Sequence, residues 1–213
     1  PATGGEVVLA EVNGARMQAT RDFALEKKES ARVVEACPTL SASDAGDGEW
    51  YLDSPEAALE FLLELEKCAP QPRIEWPKGQ KYAIQGSAGM GQFRARINAG
   101  NNWFELSGEV QVNPELVLGM QRLLELTEGT KSRFVALGDG QFLALTHAFR
   151  KKLDELRGIG EANDDGLRMH ALAAPLMDDL LAQANSVKVN KKWKEQVQRL
   201  QEARELDPEI PPT

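Results

Sequence analysis

The chain has 213 residues, of which 42% are hydrophobic, with 25 basic and 33 acidic side chains and a net charge of −8. That length and composition can bury one good core or two small ones, and the acidity argues against a general nucleic-acid binder. There is no apolar leader region, and no run approaches the ~18 apolar residues of a membrane span. The charge is uneven: residues 1–75 hold 15 acidic and 7 basic residues, whereas residues 76–213 hold 18 of each. All the net negative charge therefore lies in the first third, which predicts structural units with different surroundings.

Taken in order, Glu6–Val12 and Ala15–Asp22 flank Asn13-Gly14, a pair suited to the positive φ angles of a type I′ hairpin turn. A helix is predicted from Phe23 to Ala36, a loop from Pro38 to Glu49 and a short strand over Trp50–Leu52. Ser54 as N-cap and Pro55 at the first helical position start a second helix, running to Ala69. Its Glu56, Glu60 and Glu64 fall four apart on one stripe, either a solvated face or a draw for a basic partner. Cys68 follows Ala58, Phe61, Leu62 and Leu65 at helical spacing and should pack in a core. It and Cys37 are expected as unpaired thiols, a bridge between them being the alternative, and such thiols suit a reducing cytoplasm. Ala69-Pro-Gln-Pro-Arg73 marks a boundary.

Lys81–Ser87, Gln92–Ala99 and Trp103–Val112 alternate like the half-buried strands of a meander, with Phe93, Ala95 and Ile97 inward and Arg94 and Arg96 outward. Asn113 and Pro114 then predict a capped helix with the stripe Leu116, Val117, Met120, Leu123 and Leu124. A hairpin over Arg133–Leu137 and Gln141–Leu145 turns at Gly138-Asp139-Gly140, and a helix follows from Thr146 to Arg157. Gly158–Gly166 reads as a loop and the remainder as helical, with Pro175 beginning a helix. Val189, Trp193, Val197 and Leu200 form the stripe of the last one. The expected class is α+β, an antiparallel meander and hairpins packed against helices. Three segments are anticipated: an acidic α+β unit over 1–72, a meander, helix and hairpin unit over 73–157, and a helical connector over 158–213.

Little in the sequence looks catalytic. The glycine-rich stretch Gly86–Gly91 is followed by Gln92 and Phe93 rather than by a Gly-Lys-Ser/Thr phosphate loop, so it reads as a connection between strands. His147 and His170 have no companions at metal-ligand spacing and read as structural. No catalytic, cofactor-binding or metal-binding residue is assigned. The nucleic-acid candidates are basic. Lys188, Lys191, Lys192 and Lys194 crowd into seven residues, the first three on one helical face, where they could neutralise phosphates or simply meet water. Trp193 could stack on a base or pack. Arg94 and Arg96 share one strand face and could meet phosphate or an acidic partner. Either Trp103 or Phe104 must point away from the core, which makes it a partner-contact candidate.

Trp76-Pro77, Trp103-Phe104-Glu105-Leu106, Arg133-Phe134-Val135, Leu137-Gly138-Asp139-Gly140 and the closing phrase Asp207-Pro-Glu-Ile-Pro-Pro-Thr213 carry a family likeness. The chain resembles the region immediately N-terminal to the ATPase motor of bacterial Swi/Snf-type DEAD/DEAH-box helicases, most specifically over residues 74–146. The resemblance implies a parent enzyme that hydrolyses ATP with Mg²⁺ in a motor beyond Thr213 and acts on double-stranded DNA. This chain would be its non-catalytic accessory domain. Two roles then compete. The segment couples or regulates the parent's own motor and helps hold DNA, or its acidic first unit binds a basic protein partner. One continuous patch of Arg94, Arg96 and Lys188–Lys194 favours the first role, and scattered basic residues favour the second.

Overall fold

The computed structural model describes residues 3–41, 49–79, 81–100 and 102–205. The protein is α+β and divides into two compact units, residues 1–83 and 84–213. No helix among the described residues is long and apolar enough to cross a membrane.

In the first unit, strands β1 (Val7–Val12) and β2 (Ala15–Thr20) pair antiparallel around Asn13 and Gly14, whose φ angles of 53° and 78° give the expected turn. Residues 8, 10, 12, 15, 17 and 19 share one face of this ribbon. All are apolar and all are exposed. Helix α1 (Phe23–Ala36) starts where predicted, the Asp22 side chain accepting from the Leu25 amide at 2.9 Å. Arg21 grips Glu26 through two bonds of 2.7 and 2.6 Å.

Three expectations shift. The segment after α1 forms a one-turn helix, α2 (Pro38–Ser41), and the rest of the predicted loop, 42–48, lies outside the described residues. Trp50 makes only an isolated bridge rather than a strand. Helix α3 (Pro55–Leu65), capped by Ser54 as predicted, stops four residues short of Ala69. Glu64 is not part of a solvated stripe either. It accepts from the Thr39 amide and hydroxyl at 3.1 and 2.9 Å, tying α3 to α2.

The buried apolar residues described in this unit are Cys37, Leu40, Leu59, Leu62, Leu65 and Cys68. The two cysteines, 31 positions apart, meet in it as free thiols with Sγ atoms 3.8 Å apart. Burial pushes the Cys37 thiol up to about 12, with the neighbouring Cys68 adding to the effect.

The second unit holds two sheets. Strands β3 (Ala83–Ala88), β7 (Phe134–Gly138) and β8 (Gln141–Leu145) make a three-stranded sheet in the order β3-β8-β7. Among the described residues the larger sheet has six strands. Its order is β11 (Ser186–Val189), β4 (Phe93–Ala99), β5 (Trp103–Gln111), β10 (Gly166–His170), β9 (Gly160–Asn163), and β6 (Val117–Gly119) pairs with the far end of β5. Pairing is antiparallel except for the parallel β11–β4 contact. The three strands expected to form one meander are therefore divided. β4 and β5 are neighbours, while β3 joins the other sheet through a tight 3-10 turn at Met90–Gln92.

Alternation fixes the larger sheet's two faces. Along β4, Phe93, Ala95 and Ile97 are buried while Arg94 and Arg96 are exposed, as predicted. The inner face meets helices α4 (Met120–Leu126), α5 (His147–Ile159), α6 (Ala174–Leu181) and α7 (Lys191–Glu205) in one core. Phe93 packs on Phe149 at 5.9 Å between ring centres, and Phe104 meets Trp193 edge-on at 4.7 Å. The hairpin at Gly138–Gly140 and the Thr146-capped helix α5 also form as expected.

Two turn signals acted differently from the prediction. Asn113 does accept from following amides, Glu115 and Leu116, at 2.9 and 2.8 Å, but it closes a turn instead of starting a helix. The chain then zips back along β5 as β6, and α4 begins only at Met120, leaving Val117 exposed. The segment expected as a loop over 158–166 instead ends α5 at Ile159 and then forms the β9–β10 hairpin, because Gly160 and Gly166 allow backbones to approach closely. At Gly166 (φ +155°) an added Cβ would lie 2.2 Å from the Leu106 carbonyl oxygen. The supposed helical connector 158–213 thus supplies three strands of the larger sheet.

Gly166→Ala should cost roughly 1–3 kcal/mol through forced displacement of β5, measurable as a lower urea midpoint. Leu123→Asp places an unpaired charge at a fully buried position, a cost of several kcal/mol, and should abolish the cooperative melt followed by circular dichroism.

Candidate functional site

The outer face of the larger sheet is built by the residues that alternate away from the core. Reading across in register, the first row runs Ser186, Arg94, Glu109 and the second runs Lys188, Arg96, Ser107, Gly166. A third row runs Asn98, Glu105, Arg168, Glu161, and Trp103 stands opposite His170 in the last. Arg94 reaches Glu109 at 3.6 Å, an exposed pair of little energetic weight. Arg96 and its neighbour Lys188 have no hydrogen-bond or ion-pair partner among the described residues, so two like charges stand side by side.

The first two rows floor a shallow depression of about 590 Å³, walled by Arg122 of α4 and by Asp164 and Asp165 in the β9–β10 turn. Arg122 is held by Glu125 at 3.1 Å. At the other end of the sheet the Arg168 guanidinium lies 4.9 Å above the Trp103 ring, and His170 meets the same ring edge-on at 5.3 Å. His170 Nδ1 also accepts from the Leu172 amide at 3.2 Å, which gives it the structural role expected. Trp103 is the outward aromatic, 40% exposed, and Phe104 is its buried neighbour.

The structure brings Arg94, Arg96 and Lys188 together and separates them from the other lysines. Lys188 lies on β11, not on the last helix, and β11 joins β4 in parallel. Lys191, Lys192 and Lys194 are exposed on α7, which rests against the inner face of the sheet through Trp193. Lys191 pairs with Glu195 at 3.5 Å. Trp193 is only 4% exposed, so it packs and is not a stacking platform. The predicted single helical face of Lys188, Lys191 and Lys192 fails because Asn190 starts the helix after Lys188. Its Oδ1 accepts from the Trp193 amide at 3.0 Å, and its Nδ2 donates to the Ala99 carbonyl at 3.2 Å. The signal for this break is Asn190 itself, an N-cap residue type two positions after Lys188.

The outer face is electrically balanced. Arg94, Arg96, Arg122, Arg168 and Lys188 stand against Glu105, Glu109, Glu161, Asp164 and Asp165. A polyanion gains little from such a surface, since each phosphate meets as many carboxylates as cations. A protein surface with its own mixed charges can match it pair by pair, and register then sets specificity.

Gly86–Gly91 leads through the 3-10 turn into β4, a strand rather than the helix that follows a phosphate loop, with the Gln92 side chain accepting from the Gly89 amide at 2.8 Å. His147 is the first residue of α5. Among the described residues no group of three or more His, Cys, Asp or Glu is placed to hold a metal. Comparison of the chain with protein-family models, with curated proteins and with solved structures finds no match.

If duplex DNA touches the first two rows of this sheet face, Arg96 and Lys188 are the basic residues there without an ion-pair partner among the described residues. Changing both to Gln should then make the log–log salt dependence of binding shallower by about 2, measured by anisotropy of labelled duplex at several salt concentrations.

Proposed function

We propose that this chain is a non-catalytic accessory module of an ATP-dependent Swi/Snf-type DNA helicase or translocase working in the cytoplasm. It docks on the parent's own ATPase motor and couples or regulates it. The family assignment is supported by the phrases around Trp76, Trp103, Arg133 and Gly138. ATP and Mg²⁺ belong to that motor, and none of this chain's residues is assigned to them. The observation that carries the docking role is the open outer face of the six-stranded sheet, where Arg96 and Lys188 stand unpaired within a balanced field of charge. Contact with double-stranded DNA is secondary on this reading, because the basic residues do not form one patch.

The separation of Lys191, Lys192 and Lys194 from Arg94, Arg96 and Lys188 favours a second role, and so does a further observation. The acidic first unit exposes the all-apolar face of its hairpin, including Val8, Val12 and Met17. Such a surface suits a basic protein partner that also offers an apolar strip.

The docking role is tested by titrating the purified motor of the parent with this chain. DNA-stimulated ATP turnover should change, and Arg96→Glu with Lys188→Glu should remove the effect while leaving the melting temperature of the chain unaltered. A motor whose turnover and sedimentation ignore the chain would overturn the proposal. Loss of the effect through hairpin substitutions alone would move the interface to the first unit.

A further inference from the structure

We propose that Cys37 and Cys68 form a reversible intramolecular disulfide that staples the first unit, with a small-molecule disulfide such as oxidised glutathione as the electron acceptor. The thiols close one end of α1 onto the segment that follows α3, and their sulfurs lie 3.8 Å apart. A disulfide needs about 2.05 Å, so the sulfurs must approach by less than 2 Å, a distance that side-chain rotation and slight backbone adjustment can cover. Both residues belong to the unit's small described core of six side chains. A covalent link there constrains a large share of what holds the helices together. The loop closed by the link spans the 30 residues between them, long enough for a substantial entropic constraint on the unfolded chain.

The exchange runs in two steps. One cysteine, deprotonated, attacks a sulfur of the small disulfide, breaking its S–S bond and releasing one thiolate. The second cysteine, deprotonated in turn, attacks the protein sulfur of the mixed disulfide and expels the other half. Two electrons pass to the small molecule, and the two protons end on the two released thiols. Cys37 is fully buried and resists ionisation, so attack proceeds from opened conformers and should accelerate as pH rises. At neutral pH the pair is slow to react, which suits a response to sustained oxidation.

The test uses the intact chain, refolded to constant composition in glutathione buffers from fully reduced to fully oxidised. The expected oxidised product is a monomer lighter by the mass of two hydrogens, carrying no glutathione, with no titratable thiol. Its melting temperature should exceed that of the reduced chain by several degrees, and dithiothreitol should reverse the shift. Cys37→Ala and Cys68→Ala should each lose the shift. Two thiols still titratable in the folded chain at the oxidising end would overturn the proposal. So would oxidation that stops at glutathione adducts or intermolecular dimers.

Discussion

Everything in the second unit depends on the register between β4 and β5. Phe93, Ala95 and Ile97 point into the core while Arg94 and Arg96 point out, and a slip of one residue would exchange the two sets. The slip is blocked by shape as well as by hydrophobicity. Gly108, the partner of Ala95, has no side chain, and the Phe93 ring fills that space. A Cβ there would lie 2.7 Å from the ring and 2.6 Å from the Arg94 carbonyl oxygen. The aromatic ring thus covers the glycine and locks the pair. The locked pair aligns β11 on one side and β10 on the other.

Beside this core a second constraint uses charge. Arg150 is almost wholly buried, yet each of its three guanidinium nitrogens donates: to the carbonyls of Thr127, Thr130 and Ser132, and to the carboxylate of Asp154. Arg157, about two turns further along α5, donates to the Leu124 carbonyl at 2.6 Å and the Thr127 hydroxyl at 2.9 Å. Together they satisfy the free carbonyls at the end of α4, where the helix dipole also favours a cation. A buried charge is tolerable only when its hydrogen bonds are complete, and here the network also fixes the loop leading to β7.

What the sequence revealed followed from local physics. Asn13-Gly14, Asp22, Ser54, Thr146 and the alternation at Phe93–Ile97 each act within a few residues, and each behaved as its chemistry demands. The misreadings were decisions made at long range. Asn113 offers the same side-chain acceptor to a turn as to a helix, and only the waiting edge of β5 selects the turn. Gly160 and Gly166 look like loop residues until a neighbouring strand needs their missing Cβ atoms. The basic candidates show the same limit. The outward direction of Arg94 and Arg96 is legible because alternation is local. The strand position of Lys188 is not, because its neighbour Arg96 lies far back in the chain. The encounter of Cys37 with Cys68 has no local signal either.

The parallel pairing of β11 with β4 also governs the order in which the protein can assemble. Asn190 donates to Ala99, a contact 91 residues apart in sequence. At a synthesis rate of roughly 5–20 residues per second, the edge of β4 waits on the order of 5–20 s after emerging before its partner exists. Trp193, which seals the core over Phe104, arrives in the same stretch. During that interval the nascent unit shows an unpaired strand edge and an open apolar face, the two features that invite misassociation. The two exposed arginines of β4 set charge beside that waiting edge, a feature by which natural strands discourage edge-to-edge pairing.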